Sequence, residues 1–118
     1  MDQRTGAAGR SDARARAEGL ARRIKLFLLA RYDQGIRQVL LYGSHARGTA
    51  QPGSDVDLLV VTTDDVDARA VRRSLEEVLL DILLEEGELV SVIVIPERLY
   101  RSYRSPLLVN VRREGVPV

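Results

Sequence analysis

Between Ser11 or Asp12 and Tyr32, the apolar positions Ala17, Leu20, Ala21, Ile24, Phe27 and Leu28 recur at helical spacing, with arginines between them. That pattern predicts an amphipathic helix laid against a sheet and ended near Gly35. Residues 36–42 and 55–61 each open with polar positions, Arg37 and Gln38 in one and Asp55 and Asp57 in the other, and continue as a short apolar run; they read as two strands. Residues 65–86 return to helical spacing, with Val71, Leu75, Val78, Leu79, Ile82 and Leu83 along one stripe. Thr62, Thr63, Asp64 and Asp65 supply starting caps, and Gly87 supplies the stop. Residues 89–95 are apolar except for Ser91, as expected of a strand covered on both faces, and Pro96 closes them. Short helices around 97–104 and 106–113 and a terminal segment at 115–118 complete the pattern. Residues 1–11, rich in Gly, Ala and polar side chains, are expected to be a mobile tail before a single domain at 12–118. The order of elements predicts an α/β fold with a small mixed β-sheet flanked by helices. There is no internal repeat and no low-complexity linker.

The chemistry concentrates where the first two strands meet. Gly43-Ser44 follows the apolar segment Val39-Leu40-Leu41-Tyr42, and His45-Ala46-Arg47-Gly48 can form a first helical turn after it. Glycine permits close backbone approach or a positive φ, while free N–H groups and a serine hydroxyl at a helix start can bind phosphate. Gln51-Pro52-Gly53-Ser54 reads as a turn that brings the chain back beside its first strand. Asp55 and Asp57 follow at i and i+2, so they project from the same side of a strand. Two adjacent carboxylates repel each other, and a divalent cation between them relieves the repulsion. Mg²⁺ in particular favours one or two carboxylates plus substrate phosphate oxygens.

Gly43-Ser44, ten residues, then Asp55-Val56-Asp57 is the spacing of the minimal nucleotidyltransferases of the DNA polymerase β superfamily, which this stretch resembles. Arg47-Gly48 and Ser54 also stand where that family favours them. The close correspondence covers about a fifth of the chain, although the order of elements over residues 20–115 is similar as well. The resemblance implies a polymerase-β-like fold, ATP or another nucleoside triphosphate bound with Mg²⁺, and transfer of a nucleoside monophosphate with release of pyrophosphate. It implies that Gly43, Ser44, Arg47 and Ser54 serve the nucleotide, and that Asp55 and Asp57 hold the metal and act in catalysis. Arg47 can equally pair with a carboxylate, and Ser54 can cap or orient Asp55 instead of touching substrate.

Active members of that family generally bring a third carboxylate from the next core strand, where this chain has Ser91. Glu88, at the expected start of that strand, is the candidate substitute; Asp81 and Glu86 read more simply as a solvated helix face. Losing a general base typically costs on the order of 10²–10⁴ in rate. His45, the only histidine, reads as a partly exposed residue at a helix start. Tyr100 and Tyr103, beside Arg101 and Arg104, pack their rings on an amphipathic helix.

Composition limits the alternatives. The 118 residues have no cysteine and no tryptophan, which excludes disulfide scaffolding, thiolate metal sites and cysteine catalysis. No apolar stretch is long enough to span a membrane, and the first residues lack the apolar centre of a secretory signal, so the cytoplasm is the expected location. The net charge is +1 but uneven: residues 1–25 hold seven Arg/Lys against three Asp/Glu, and residues 55–88 hold three Arg against eleven Asp/Glu. The acidic middle argues against a continuous nucleic-acid track. Arginines 98, 101, 104, 112 and 113 are expected on a solvated helix face.

A chain of this length leaves little room for an acceptor pocket, so a partner protein or a second copy is expected to supply the acceptor. Many small members of the resembled family act with a helical HEPN-type toxin ribonuclease and neutralise it by adenylylation. The leading expectation is therefore a nucleotidyltransferase moving AMP from ATP to a hydroxyl on such a partner, as its antitoxin. The alternative, motivated by Ser91, is a degenerate member that binds nucleotide and metal without efficient transfer.

Overall fold

The computed structural model describes residues 4–118. Helix α1 spans Arg4–Tyr32. It begins about two turns before the expected start at Ser11 or Asp12, because no proline interrupts 4–11 and each added residue extends the hydrogen-bond ladder. The expected tail is thus helical from Arg4, and residues 1–3 lie outside the described residues. A short 3-10 turn, Asp33–Gly35, leads into strand β1 at Ile36–Tyr42. Helix α2 is the single turn Ser44–Arg47, and β2 runs Val56–Thr62.

The helix expected over 65–86 is two: α3 at Ala68–Ser74 and α4 at Glu76–Glu86. Its start moves to Asp67, whose carboxylate accepts from the N–H groups of Arg69 and Ala70. Asp64, expected to help start it, accepts instead from the N–H of Arg98, in the first turn of a later helix. The break falls at Leu75, directly after Ser74, whose hydroxyl donates to the Val71 carbonyl at 2.6 Å and competes with the helical ladder. Gly87 ends α4 in the left-handed conformation, as expected. Strand β3 is Val90–Pro96, followed by α5 at Glu97–Ser102, α6 at Pro106–Glu114 and the two-residue β4, Val116–Pro117.

The sheet has the order β3-β2-β1-β4; β2 and β3 are parallel, joined by α3 and α4, and the other pairs are antiparallel. Both faces are covered. On one, Ala17, Leu20, Ala21, Ile24 and Leu28 of α1 pack with Leu41, Val56, Leu58 and Val60 and with Val71, Leu75 and Ile82 of α3 and α4. On the other, Leu40, Tyr42, Leu59 and Val61 pack with Leu108 and Val111 of α6. Because β2 is buried on both sides, its sequence is a continuous apolar run and not an alternating one. Asp57 is the exception at its first turn of pleat. No helix among the described residues is long and apolar enough to cross a membrane.

Candidate active site

Strand β1 ends at Tyr42, and the register of the sheet sets Tyr42 of β1, Asp57 of β2 and Ser91 of β3 in one row. Leu59 and Val61 follow Asp57 at i+2 and i+4, so this row continues the face that α6 covers and lies at its end. Gly43 comes next, at φ 79° and ψ −155°, which an L side chain rarely adopts. A Cβ at Gly43 would stand 2.5 Å from Oδ2 of Asp57. The glycine is therefore required twice, by its backbone conformation and by the carboxylate pressed against it. The phosphate turn and the carboxylate strand, expected to meet at one sheet edge, are in van der Waals contact.

Helix α2 is anchored by the Arg47 N–H donating to the Gly43 carbonyl at 3.0 Å, and by the Thr49 N–H donating to the Ser44 carbonyl at 2.9 Å. Gly48 closes it in the left-handed conformation. Ser44 thus sits on the first turn, half-buried, at the site of the expected cradle. The return loop folds as a turn in which the Ser54 N–H donates to the Gln51 carbonyl at 2.9 Å, while the Ser54 hydroxyl accepts from the Gln51 N–H at 2.8 Å. The Ser54 hydroxyl thus serves the turn through Gln51 and not Asp55, the residue it was expected to cap or orient. Asp55 follows, exposed, and Val56 enters the sheet by donating to the Leu89 carbonyl at 2.9 Å.

Asp57 is half-buried, and its carboxyl pKa is raised, first by burial and then by the charge of Asp55; His45 and Arg47 oppose the shift. The same carboxylate, with burial as the larger cause, raises the pKa of the Tyr42 hydroxyl beside it. Arg47 holds Glu114 of α6 at 2.8 Å, so the carboxylate-pairing role left open for it is filled. Glu88 is not brought to the aspartates. It faces Arg16 of α1 at 3.9 Å, and no group of three or more His, Cys, Asp or Glu placed to hold a metal occurs among the described residues. Ser91, in register beside Asp57 and exposed, occupies the place where a third carboxylate would act.

His45 departs from expectation. It is buried, 6% exposed, with Nε2 3.3 Å from the Ser54 carbonyl and Nδ1 without a hydrogen-bond partner. Nothing in its local sequence distinguishes the two outcomes, because the contact that buries it comes from a turn nine residues away. Tyr100 packs in the second core with the Arg112 guanidinium 5.2 Å from its ring centre, whereas Tyr103 is 59% exposed.

The donor set fits a divalent cation. Asp57 on β2 and Asp55 just before it are two carboxylates of which the first is pushed towards protonation, by burial and then by the charge of the second; a cation that shares them with phosphate oxygens, as Mg²⁺ prefers to be bound, relieves both. The glycine turn is pressed against one of the two, Asp57, and a cradle for phosphate beside a cation pair is the arrangement that nucleotide chemistry uses. The chain belongs to the nucleotidyltransferase domain family, whose profile matches residues 21–113.

Two proteins of Methanocaldococcus jannaschii, each named a putative protein adenylyltransferase, are similar to it. One is 31% identical over 83 residues, which is 69% of this chain and 56% of that protein. The other is 32% identical over 75 residues, 64% of this chain and 69% of that protein. The chain thus spans little more than half the length of the first. Among solved structures, one described as a minimal nucleotidyltransferase superposes with TM-score 0.55 at 29% identity, covering 92% of this chain and 95% of the other. A toxin–antitoxin crystallised with AMP-PNP superposes with TM-score 0.54 at 22% identity, covering 80% and 69%. The mixed four-stranded sheet with flanking helices is the fold of these nucleotidyltransferase structures.

Proposed function

We propose that the protein transfers AMP from ATP, with Mg²⁺, to a hydroxyl on a partner protein. The observation that carries this reading is the contact between Gly43 and Asp57, which builds the phosphate turn against the carboxylate pair. The names of the two M. jannaschii relatives support a protein acceptor, and the toxin–antitoxin with AMP-PNP supports a toxin partner, here a helical HEPN-type protein.

In this reading Gly43 lets the backbone approach the triphosphate, Ser44 donates its hydroxyl to a β- or γ-phosphate oxygen, and Asp55 and Asp57 hold the cation. The chemistry that a cation supplies at such a pair is neutralisation of the α-phosphate and of the departing pyrophosphate. The acceptor oxygen forms its bond to the α-phosphorus as the bond to the pyrophosphate oxygen breaks, and the acceptor proton passes out of the site. Ser91 cannot take that proton as a carboxylate would, so this chain contributes mainly position and charge.

Ser91 also favours a second reading, a member that binds nucleotide and cation but transfers poorly. One experiment separates the two: ATP labelled at the α-phosphate, Mg²⁺ and the product of the adjacent gene, with Asp55→Asn and Asp57→Asn as controls. Label on the partner that requires both carboxylates supports transfer. Cation-dependent ATP binding without label supports the binding module, and no binding sinks both.

A further inference from the structure

We infer that His45 is a positioning residue that ties the phosphate turn to the metal-binding strand. Among the described residues, it is the buried polar side chain that spans both halves of the candidate centre. It belongs to α2, directly after Ser44, yet its ring reaches the backbone carbonyl of Ser54, the residue immediately before Asp55, at 3.3 Å. It is 94% removed from solvent, and its charge is felt by Asp57.

The chemistry of the contact fixes the donor. A carbonyl oxygen only accepts, so Nε2 carries the hydrogen and donates to Ser54. Nδ1 has no partner, so the fold uses a single N–H of this side chain. That N–H matters because of where it lands. Asp55 lies just outside β2, which begins at Val56; the Val56 N–H, bonded to the Leu89 carbonyl, holds the peptide after Asp55, and the peptide before it is the one His45 reaches. The turn hydrogen bonds between Gln51 and Ser54 shape the loop internally but do not attach it to α2. His45 makes that attachment. Through it the separation between the Ser44 hydroxyl and the Asp55 carboxylate is set, and the triphosphate and the cation must be held at that separation together. Groups that orient ligands without touching the metal typically cost 10–100-fold in metal affinity when removed.

The inference rests on the nucleotidyltransferase reading, and its test keeps the two apart. Binding of Mn²⁺, followed by loss of the free-ion electron paramagnetic resonance signal, is measured with α,β-methylene-ATP, which the protein cannot cleave at the α-phosphate. His45→Phe fills the ring's volume but has no N–H; His45→Gln returns one N–H at nearly the same reach. With both variants folded by circular dichroism, His45→Phe is expected to weaken nucleotide-dependent Mn²⁺ binding by on the order of 10-fold, and His45→Gln to restore it to within about 3-fold of the parent. Hydrogen exchange at residues 51–55 should quicken in His45→Phe and not in His45→Gln. Equal Mn²⁺ binding in all three proteins, or equal loss in both variants, overturns the positioning role while leaving the family reading intact. If His45→Phe does not fold, His45→Met, which also lacks the N–H, takes its place: a loss on the order of 10-fold that His45→Gln does not share upholds the inference, and parent-like binding in His45→Met overturns it. Absence of nucleotide-dependent Mn²⁺ binding in the parent would instead overturn the reading on which the inference stands.

Discussion

The two faces of the sheet are built from the same strands and end differently. Beneath α1, α3 and α4, Val56, Leu58, Val60, Val71, Leu75 and Ile82 are all essentially inaccessible, and the polar residue in line with those of β2 is the buried Thr62 at its far end. On the α6 side, Leu59 and Val61 are as deeply buried, but one pleat before Leu59 the row becomes Tyr42, Asp57 and Ser91. The first face invests its whole length in stability. The second gives up its last row to a half-buried carboxylate whose ionisation burial opposes. Substitutions on the two faces should therefore separate stability from chemistry.

The largest effect is expected from Asp57→Asn. Removing one of two metal carboxylates should lower nucleotidyl transfer on the order of 10³-fold, read as pyrophosphate release. Stability should move the opposite way. A raised pKa means that folding favours the protonated carboxyl. Its contribution to the cation-free protein is thus present below the ordinary carboxylate pKa and is lost as pH rises through the raised value. Asp57→Asn escapes that loss, so its cation-free thermal midpoint at neutral pH should exceed the parent's. Cation-dependent nucleotide binding in the parent should fall on acidification at a higher pH than an ordinary aspartate would give; a titration that follows an unshifted carboxylate refutes it. On the other face, Leu58→Ala should cost about 2–5 kcal/mol in denaturant unfolding and leave transfer by the folded fraction near the parent's.

Glycines sharpen the same contrast. Gly43 and Gly53 both have positive φ, 79° and 85°, but a Cβ at Gly53 meets nothing within 4 Å while one at Gly43 meets the Asp57 carboxylate. Gly53→Ala should cost about 1–2 kcal/mol of left-handed backbone strain and keep transfer. Gly43→Ala should cost more and also displace the carboxylate, so that transfer falls out of proportion to stability. Equal behaviour of the two would mean that the Gly43–Asp57 contact has no functional weight.

What the sequence reveals and what it hides divides along the range of the interactions. The bounds of β1, the turn of α2, the stop at Gly87 and the strand after it are written in local periodicity and in residues with special backbone freedom, and all are legible. The pairing of Gly43-Ser44 with Asp55 and Asp57 is legible because spacing and strand alternation carry it. The break after Ser74 is not, since one hydroxyl competing for one carbonyl leaves the apolar stripe unchanged. Neither are the burial of His45 or the partner of Arg47. The first depends on a carbonyl in another turn, and the second on Glu114, 67 residues away, brought close only when α6 covers the sheet.

That pair sets the smallest expected effect. Arg47 and Glu114 are in good hydrogen-bonding geometry at 2.8 Å, but the arginine side chain is 48% exposed, and an ion pair so placed contributes less than about 1 kcal/mol. Glu114→Gln should therefore lower stability only within that limit. Its effect on nucleotide is more telling. Arg47 lies close enough for its charge to be felt at Asp57, and the Glu114 carboxylate is what holds its guanidinium towards α6. Released from that carboxylate, the guanidinium is free to meet a triphosphate, so Glu114→Gln should tighten nucleotide binding by about 2–5-fold in a calorimetric titration at low salt, with the gain fading as ionic strength rises. Weaker binding in Glu114→Gln would show that the pair serves by holding Arg47 still, and would place this arginine with the scaffold of the second face and not with its chemistry.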